Sequence, residues 1–249
     1  MPGISITQEE GVRYLQFGAH WIQGAMRVNR PWSLELEYTR DMMFPLLLRP
    51  PTWPRTVLLI GLGAASLTKF LHRYRPHAKL DVIEIDPLVV LAAWQFFQLP
   101  QESRQLRIEI GDGYKFVATV RKRYDLILVD GFDATVRAGD LDSRAFYRNC
   151  HARLAAHGIL ATNLVSRRGK PTASMERMSK VFERAVLALP PNEANTIVLA
   201  TTGGSVRVPA GALYSAARKL KSQSGLDLTN TVTALLALHS NGIVELKTG

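Results

Sequence analysis

Apolar and polar positions along the chain fall into two regimes. In the first ~30 residues they alternate in short stretches, as half-buried strands do. Ile4–Thr7, Val12–Phe17 and Trp21–Gln23 predict two or three antiparallel strands. Leu34–Leu48 is helix-like, with Ser33 as N-cap and Glu35 and Glu37 in the first turn, where the helix dipole favours acids. Pro45 should kink or end that helix, and Arg49–Pro54 is a linker by composition. From residue 56 the pattern changes to continuous apolar runs separated by helical periodicity. Strands are predicted at 57–60, 80–86, 106–110, 124–130, 159–164 and 196–201. Helices are predicted at 64–74, from Pro87, from Tyr114 and over 144–154, with Gly158 as the C-cap of the last. Two further helices, 212–221 and 229–239, and a strand at 243–246 complete the pattern. Apolar strands alternating with helices predict an α/β fold with a doubly wound, mostly parallel sheet, preceded by a short antiparallel β segment. The domain expectation is residues 1–50 for the β segment and first helix, and 51–249 for the larger unit.

Composition narrows the class. The chain has 249 residues, 47% hydrophobic and 21% charged, which excludes a disordered or fibrous protein. Its one cysteine, Cys150, excludes an internal disulfide and a thiolate zinc site. The six histidines show no metal-ligand spacing, so no metal is expected. The formal net charge is +10. That permits a nucleic acid or an acidic partner, but the basic residues are scattered, so solvated surface is the simpler reading. No stretch approaches the ~18–20 apolar residues of a membrane span, and no secretory pattern opens the chain. A cytoplasmic protein without a membrane partner is expected. A homodimer is plausible, because short N-terminal strands need cover.

In a doubly wound sheet, ligands bind at the carboxyl ends of the strands. Four of those ends carry glycine or acid. The first is Gly61-Leu62-Gly63, where glycines let the backbone approach a ligand closely. Glu84 lies near the end of the second strand, 23 residues after Gly61, where an acid can hold both hydroxyls of a ribose. The third ends in Gly111-Asp112-Gly113; Asp112 suits an adenine amino group or, equally, the N-cap of the next helix. Asp86, beside Pro87, fits a capping role better than Glu84 does. Together these acids predict an adenosyl ligand. The fourth end is Asp130-Gly131-Phe132-Asp133, two carboxylates aimed at one crevice. Close carboxylates are costly unless a cation joins them, and a charged amine would supply one.

Residues 12–165 resemble the spermidine synthase (polyamine aminopropyltransferase) family. The resemblance rests on Gln23, Tyr38, Gly61-Leu62-Gly63, Val82–Asp86, Gly111-Asp112-Gly113, Tyr124–Asp133 and Ala145-Phe146-Tyr147. It implies a Rossmann-like fold of the class I methyltransferase type, with an adenosyl-cofactor-binding catalytic domain. It also implies transfer of an aminopropyl group from decarboxylated S-adenosylmethionine to putrescine or a related polyamine, with release of methylthioadenosine. By the same resemblance Glu84 holds the ribose and Asp112 the adenine, Gln23 contributes to the nucleoside site, and Gly61, Gly63 and Gly113 also belong to the cofactor-binding set. Asp130 is then the catalytic residue that orients the amine and accepts its proton, while Tyr38 and Asp133 hold the amine substrate. The sequence departs from the family pattern at Ala64, where an aspartate is usual, and at Thr39, where a histidine is usual. Gly131-Phe132-Asp133-Ala134 replaces a turn ending in Asp-Pro, and the family's C-terminal tyrosine and histidine segments are not recognisable. Two alternatives therefore stand beside aminopropyl transfer: an S-adenosylmethionine-dependent methyltransferase, and a non-catalytic nucleoside-binding protein.

Overall fold

The computed structural model describes residues 3–17, 21–131, 139–165, 171–183, 186–192, 195–239 and 242–246. β1 (Ile4–Glu9), β2 (Val12–Phe17) and β3 (Trp21–Arg27) form an antiparallel sheet in that order. The central sheet has seven strands among the described residues. β4 (Thr56–Ile60), β5 (Lys79–Glu84), β6 (Leu106–Ile110), β7 (Tyr124–Val129) and β8 (Leu154–Val165) are parallel. β9 (Val186–Ala188) and β10 (Asn195–Thr201) are antiparallel additions at one edge, and the order across the sheet is β6-β5-β4-β7-β8-β10-β9. The strand order reverses beside β4, which places the ligand crevice between the ends of β4 and β7.

Period-two alternation explains why the sheet is covered on both faces. Val57, Leu59, Val82, Leu126 and Leu128 face one apolar core, and Leu58, Ile60, Ile83, Ile127 and Val129 face the other. The first core is filled by α2 (Ser66–Tyr74), α3 (Pro87–Phe96), α7 (Ala210–Ser224) and α8 (Thr229–Ala237). The second is filled by α4 (Gly113–Thr119), α5 (Arg144–Arg153) and α6 (Thr172–Val181). Leu15 and Met26 of the N-terminal sheet belong to the first core.

Several boundaries differ from expectation. The helix expected over 34–48 is a single turn and a half, α1 (Glu37–Asp41), whose N-cap position is Leu36 rather than Ser33. A separate 3-10 turn, Phe44–Leu47, follows and takes Pro45 near its start, where a missing N–H costs nothing. Gly158 does not cap α5; the chain passes at Leu154 straight into β8, and Gly158 lies inside that strand. Two short strands were not expected, β9 and β11 (Val206–Pro209); the latter pairs with β12 (Ile243–Leu246). Asp86 is the N-cap of α3, accepting from the Leu88 N–H at 2.8 Å.

The C-terminal helices reach back to α1. Asp41 is 6% exposed and accepts a hydrogen bond from the Thr231 hydroxyl of α8 at 2.7 Å. Burial pushes the Asp41 carboxyl up to about 6. The folded chain therefore binds this proton more tightly than the unfolded chain. Asp41 costs nothing below pH ~4; its penalty accumulates from there to about 6 and is constant above. We expect Asp41→Asn, which still accepts from Thr231, to gain stability relative to the parent as pH rises from 4 to 7. The gain should approach about 3 kcal/mol, read by urea unfolding at both pH values; a pH-independent difference would remove Asp41 as its source.

Candidate functional site

The crevice between β4 and β7 is a cavity of about 560 Å³. Its floor begins where β4 ends. Gly61 has φ +95°, and a Cβ there would lie 2.2 Å from the Asp130 carbonyl oxygen, so only glycine allows this close approach. The Gly61 N–H donates to the Ile83 carbonyl and the Asp130 N–H to the Ile60 carbonyl, both at 2.9 Å. These bonds hold three strand ends in register. Gly113, the first residue of α4, packs as tightly: a Cβ there would meet Ile60 Cγ2 at 2.4 Å.

Glu84 fixes the glycine loop. Its Oε2 accepts from the Leu62 N–H at 2.8 Å and its Oε1 from the Asp86 N–H at 3.0 Å. Burial raises its pKa, while the backbone donors pull it down. The Ile85 backbone also donates to this carboxylate, so only part of its acceptor capacity remains for the cavity it lines. Asp112 is the N-cap of α4, accepting from the Tyr114 N–H at 2.8 Å, and it also lines the cavity. The capping role and the ligand-facing position thus coexist in one residue.

The N-terminal sheet forms the roof. Gln23 and Gly24 of β3 line the cavity. A Cβ on Gly24 would lie 2.5 Å from Ala64 Cβ, and the Ser66 hydroxyl donates to the Ala25 carbonyl at 3.1 Å. The small pair Gly24 and Ala64 lets β3 cross directly over the glycine loop.

Asp130, just beyond the end of β7, lines the cavity and is held by two donors. The Tyr38 hydroxyl donates to Oδ2 at 3.2 Å, and Asn163 Nδ2 donates to Oδ1 at 3.0 Å. Burial raises the Asp130 pKa, and the two hydrogen bonds lower it. Burial and the neighbouring carboxylate together push the Tyr38 phenol well up, so Tyr38 is a donor at neutral pH. Asn163 is 4% exposed, and its Oδ1 has no partner among the described residues. The sequence reading missed Asn163. Its signal was a polar residue in the apolar run Ile159–Leu164, near the carboxyl end of a strand.

Eight of the nine expected site residues meet in this cavity: Gln23, Tyr38, Gly61, Gly63, Glu84, Asp112, Gly113 and Asp130. Asp133 lies outside the described residues. Asp140, on the 3-10 turn Gly139–Asp142, lines the cavity and was not anticipated. Among the described lining residues the charged groups are Glu84, Asp112, Asp130 and Asp140, with no lysine, arginine or histidine. A chain of net charge +10 thus encloses an acidic cavity. No cluster of potential metal ligands occurs among the described residues.

Comparison with known proteins agrees with this architecture. The profile of the spermine/spermidine synthase domain matches residues 35–198. A polyamine aminopropyltransferase of Neisseria meningitidis is 32% identical over 241 residues, covering 96% of this chain and 91% of the relative. One from Chromobacterium violaceum is 34% identical over 236 residues, covering 94% and 90%. In three dimensions, a probable spermidine synthase from Corynebacterium glutamicum superposes with a TM-score of 0.73 at 15% identity, covering 93% of this chain and 91% of that one. The strand-end glycines, the cavity acids and the near full-length sequence match lead to one conclusion: this chain belongs to the spermine/spermidine synthase family.

Proposed function

We propose that the protein transfers an aminopropyl group from decarboxylated S-adenosylmethionine to an amine acceptor of the putrescine class, releasing methylthioadenosine. The observation that carries this reading is the cavity's charge. Four carboxylates and no basic side chain among the described lining residues favour a ligand that is cationic throughout. The decarboxylated donor has a sulfonium and an ammonium and lacks a carboxylate. Intact S-adenosylmethionine adds a carboxylate, for which these residues supply no cationic partner. Ala64 puts no carboxylate beside the glycine loop to pair with the donor's ammonium, so methyl transfer is the second reading.

Each residue then has a role. Glu84 accepts from the ribose hydroxyls with the lone pairs its backbone donors leave free, and Asp112 accepts from the adenine amino group. The Gly61–Gly63 loop and Gln23 enclose the nucleoside. Asp130 receives the acceptor amine. An alkylammonium has a pKa near 10, so it must lose a proton before its nitrogen can attack. Burial makes Asp130 a stronger base than an exposed carboxylate, and the Tyr38 and Asn163 hydrogen bonds fix its orientation. The freed lone pair attacks the aminopropyl carbon bonded to sulfur. The carbon–sulfur bond breaks, and its electrons neutralise the sulfonium in methylthioadenosine. Positioning two reactants this way can supply up to ~7–11 kcal/mol of the barrier reduction. Asp133 is proposed to hold the distal ammonium of the acceptor.

These outcomes are expected. Calorimetry should show tighter binding of decarboxylated S-adenosylmethionine than of the intact form, and mass spectrometry should show methylthioadenosine with an aminopropylated amine. The reverse preference, with S-adenosylhomocysteine as product, would establish methyl transfer instead. Asp130→Asn should lower turnover by ~10²–10⁴ while methylthioadenosine binds within a few-fold of the parent. The parent's activity should fall on the acid side at a pH above the ordinary carboxylate range, because the protonated form of Asp130 cannot act as base. Glu84→Gln should weaken nucleoside binding by ~10-fold or more, the scale of a charge-assisted hydrogen bond; unchanged affinity would remove Glu84 from the ribose site.

A further inference from the structure

The lysines and arginines are scattered along the sequence, but the fold gathers many of them at one end of the central sheet. Each parallel strand starts at or beside a cation: Arg55 before β4, Lys79 in β5, Arg104 before β6, Arg123 before β7 and Arg153 before β8. Register keeps these starts level. Thr56 pairs with Lys79, the Leu80 N–H donates to the Gln105 carbonyl at 2.7 Å, and Tyr124 pairs with Leu154. At ~4.8 Å between neighbouring strands, the row spans ~19 Å. The Gln105 side chain ties the end of α2, which carries Arg73, to the start of β6. It donates to the His72 carbonyl at 3.0 Å and the Arg75 carbonyl at 3.3 Å.

Arg55, Lys79 and Arg104 are exposed and form no ion pair among the described residues. The acids on these strands and loops are engaged elsewhere. Asp81 pairs with Lys122 at 2.7 Å and Glu109 with Arg107 at 2.9 Å. Asp125 accepts from the Arg55 and Thr56 N–H groups, and Glu102 from the Ile108 N–H. Helix dipoles favour cations at the ends of α2, α4 and α5. They do not account for Arg55, which follows a proline-rich linker, or for Arg104, in the loop between α3 and β6. The carboxyl ends of the same strands carry Glu84, Asp112 and Asp130, so the sheet separates the two signs of charge. In β5, Lys79 and Glu84 stand ~17 Å apart along the strand.

A row of unpaired cations is complementary to a polyanion. None of the large exposed apolar side chains lies in the segments that carry the row. Stable docking on an anionic membrane takes an inserted apolar group besides charge, and single-stranded nucleic acid takes aromatic side chains for its bases to stack on. A duplex needs neither. It is held by phosphate contacts and presents one charge per ~1.7 Å of its axis, so ~19 Å of cations faces about 11 phosphates.

We propose that this basic end of the sheet docks the phosphate backbone of duplex nucleic acid, without preference for sequence. The duplex lies across the strand starts and leaves the acidic cavity at the other end open. Cations that neutralise phosphates release their counterions, so affinity falls steeply with salt.

Fluorescence anisotropy of a labelled 20-base-pair DNA duplex, titrated with the full chain between 50 and 200 mM salt, tests this. Five phosphates neutralised at about −0.9 each give an expected slope of log K against log salt of about −4 to −5. Arg55→Gln, Lys79→Gln and Arg104→Gln combined should weaken binding at least about tenfold and flatten the slope by about 2.7. Their exposure predicts an unchanged far-ultraviolet spectrum. Lys115→Gln, Arg144→Gln and Arg218→Gln combined remove the same charge from exposed positions off the row, two of them at the cavity ends of α4 and α5. That triple should stay within about threefold of the parent. No binding of the duplex at 50 mM salt overturns the proposal. Equal losses in the two triples overturn it as well, by assigning the binding to diffuse net charge. So does a row triple that releases phosphatidylglycerol vesicles while its affinity for the duplex is unchanged.

Discussion

The site is organised around the partly buried carboxylate of Asp130. A carboxylate removed from water is expensive unless donors or a cation compensate it. Here Tyr38 from the N-terminal segment and Asn163 from β8 each give one hydrogen bond. Those bonds satisfy only part of the group's capacity as an acceptor. What remains is directed into a cavity whose other charged walls are also acids. A cationic amine supplies the missing compensation, so the electrostatics of the site favour the proposed substrate class.

The backbone is built to make that arrangement rigid. Gly61 touches the Asp130 carbonyl, Gly113 touches Ile60, and Gly24 touches Ala64. Each contact brings two elements closer than side chains would permit. Glu84 is part of the same frame, since it accepts from both the glycine loop and the start of α3. A residue proposed to hold the ribose therefore also shapes the loop beneath it. Glutamine there keeps one acceptor but turns an amide NH2 toward the other backbone donor, so it tests the loop frame and the ribose contact together.

Much of this was legible in one dimension. The runs at 57–60 and 124–130 gave parallel strands because both faces of the sheet are covered, and the residues just after them became the cavity floor. Boundaries were legible only where a local device sets them. Asp86 and Asp112 cap their helices as their side-chain chemistry dictates. The segment 34–48 misled because it is apolar enough for a long helix, yet the packing of Met42, Met43 and Phe44 in the core breaks it into two short turns. Asn163 escaped notice because a polar residue in a mostly apolar strand has no local signature of what it will touch.

The sequence alone determined the sheet architecture, the glycine loop and the acids at successive strand ends, because period and turn chemistry are local properties. It also set a net charge of +10 without indicating where the acids would gather. Only the tertiary structure decided that Tyr38, Asp130 and Asn163, far apart in the chain, share one hydrogen-bonded group. It alone enclosed four acids in a cavity without basic residues among those described, and gathered cations at the opposite ends of the same strands. The physical reason is the same in each case. Burial and the distance between groups remote in sequence are set by how the elements pack, and no local pattern encodes them.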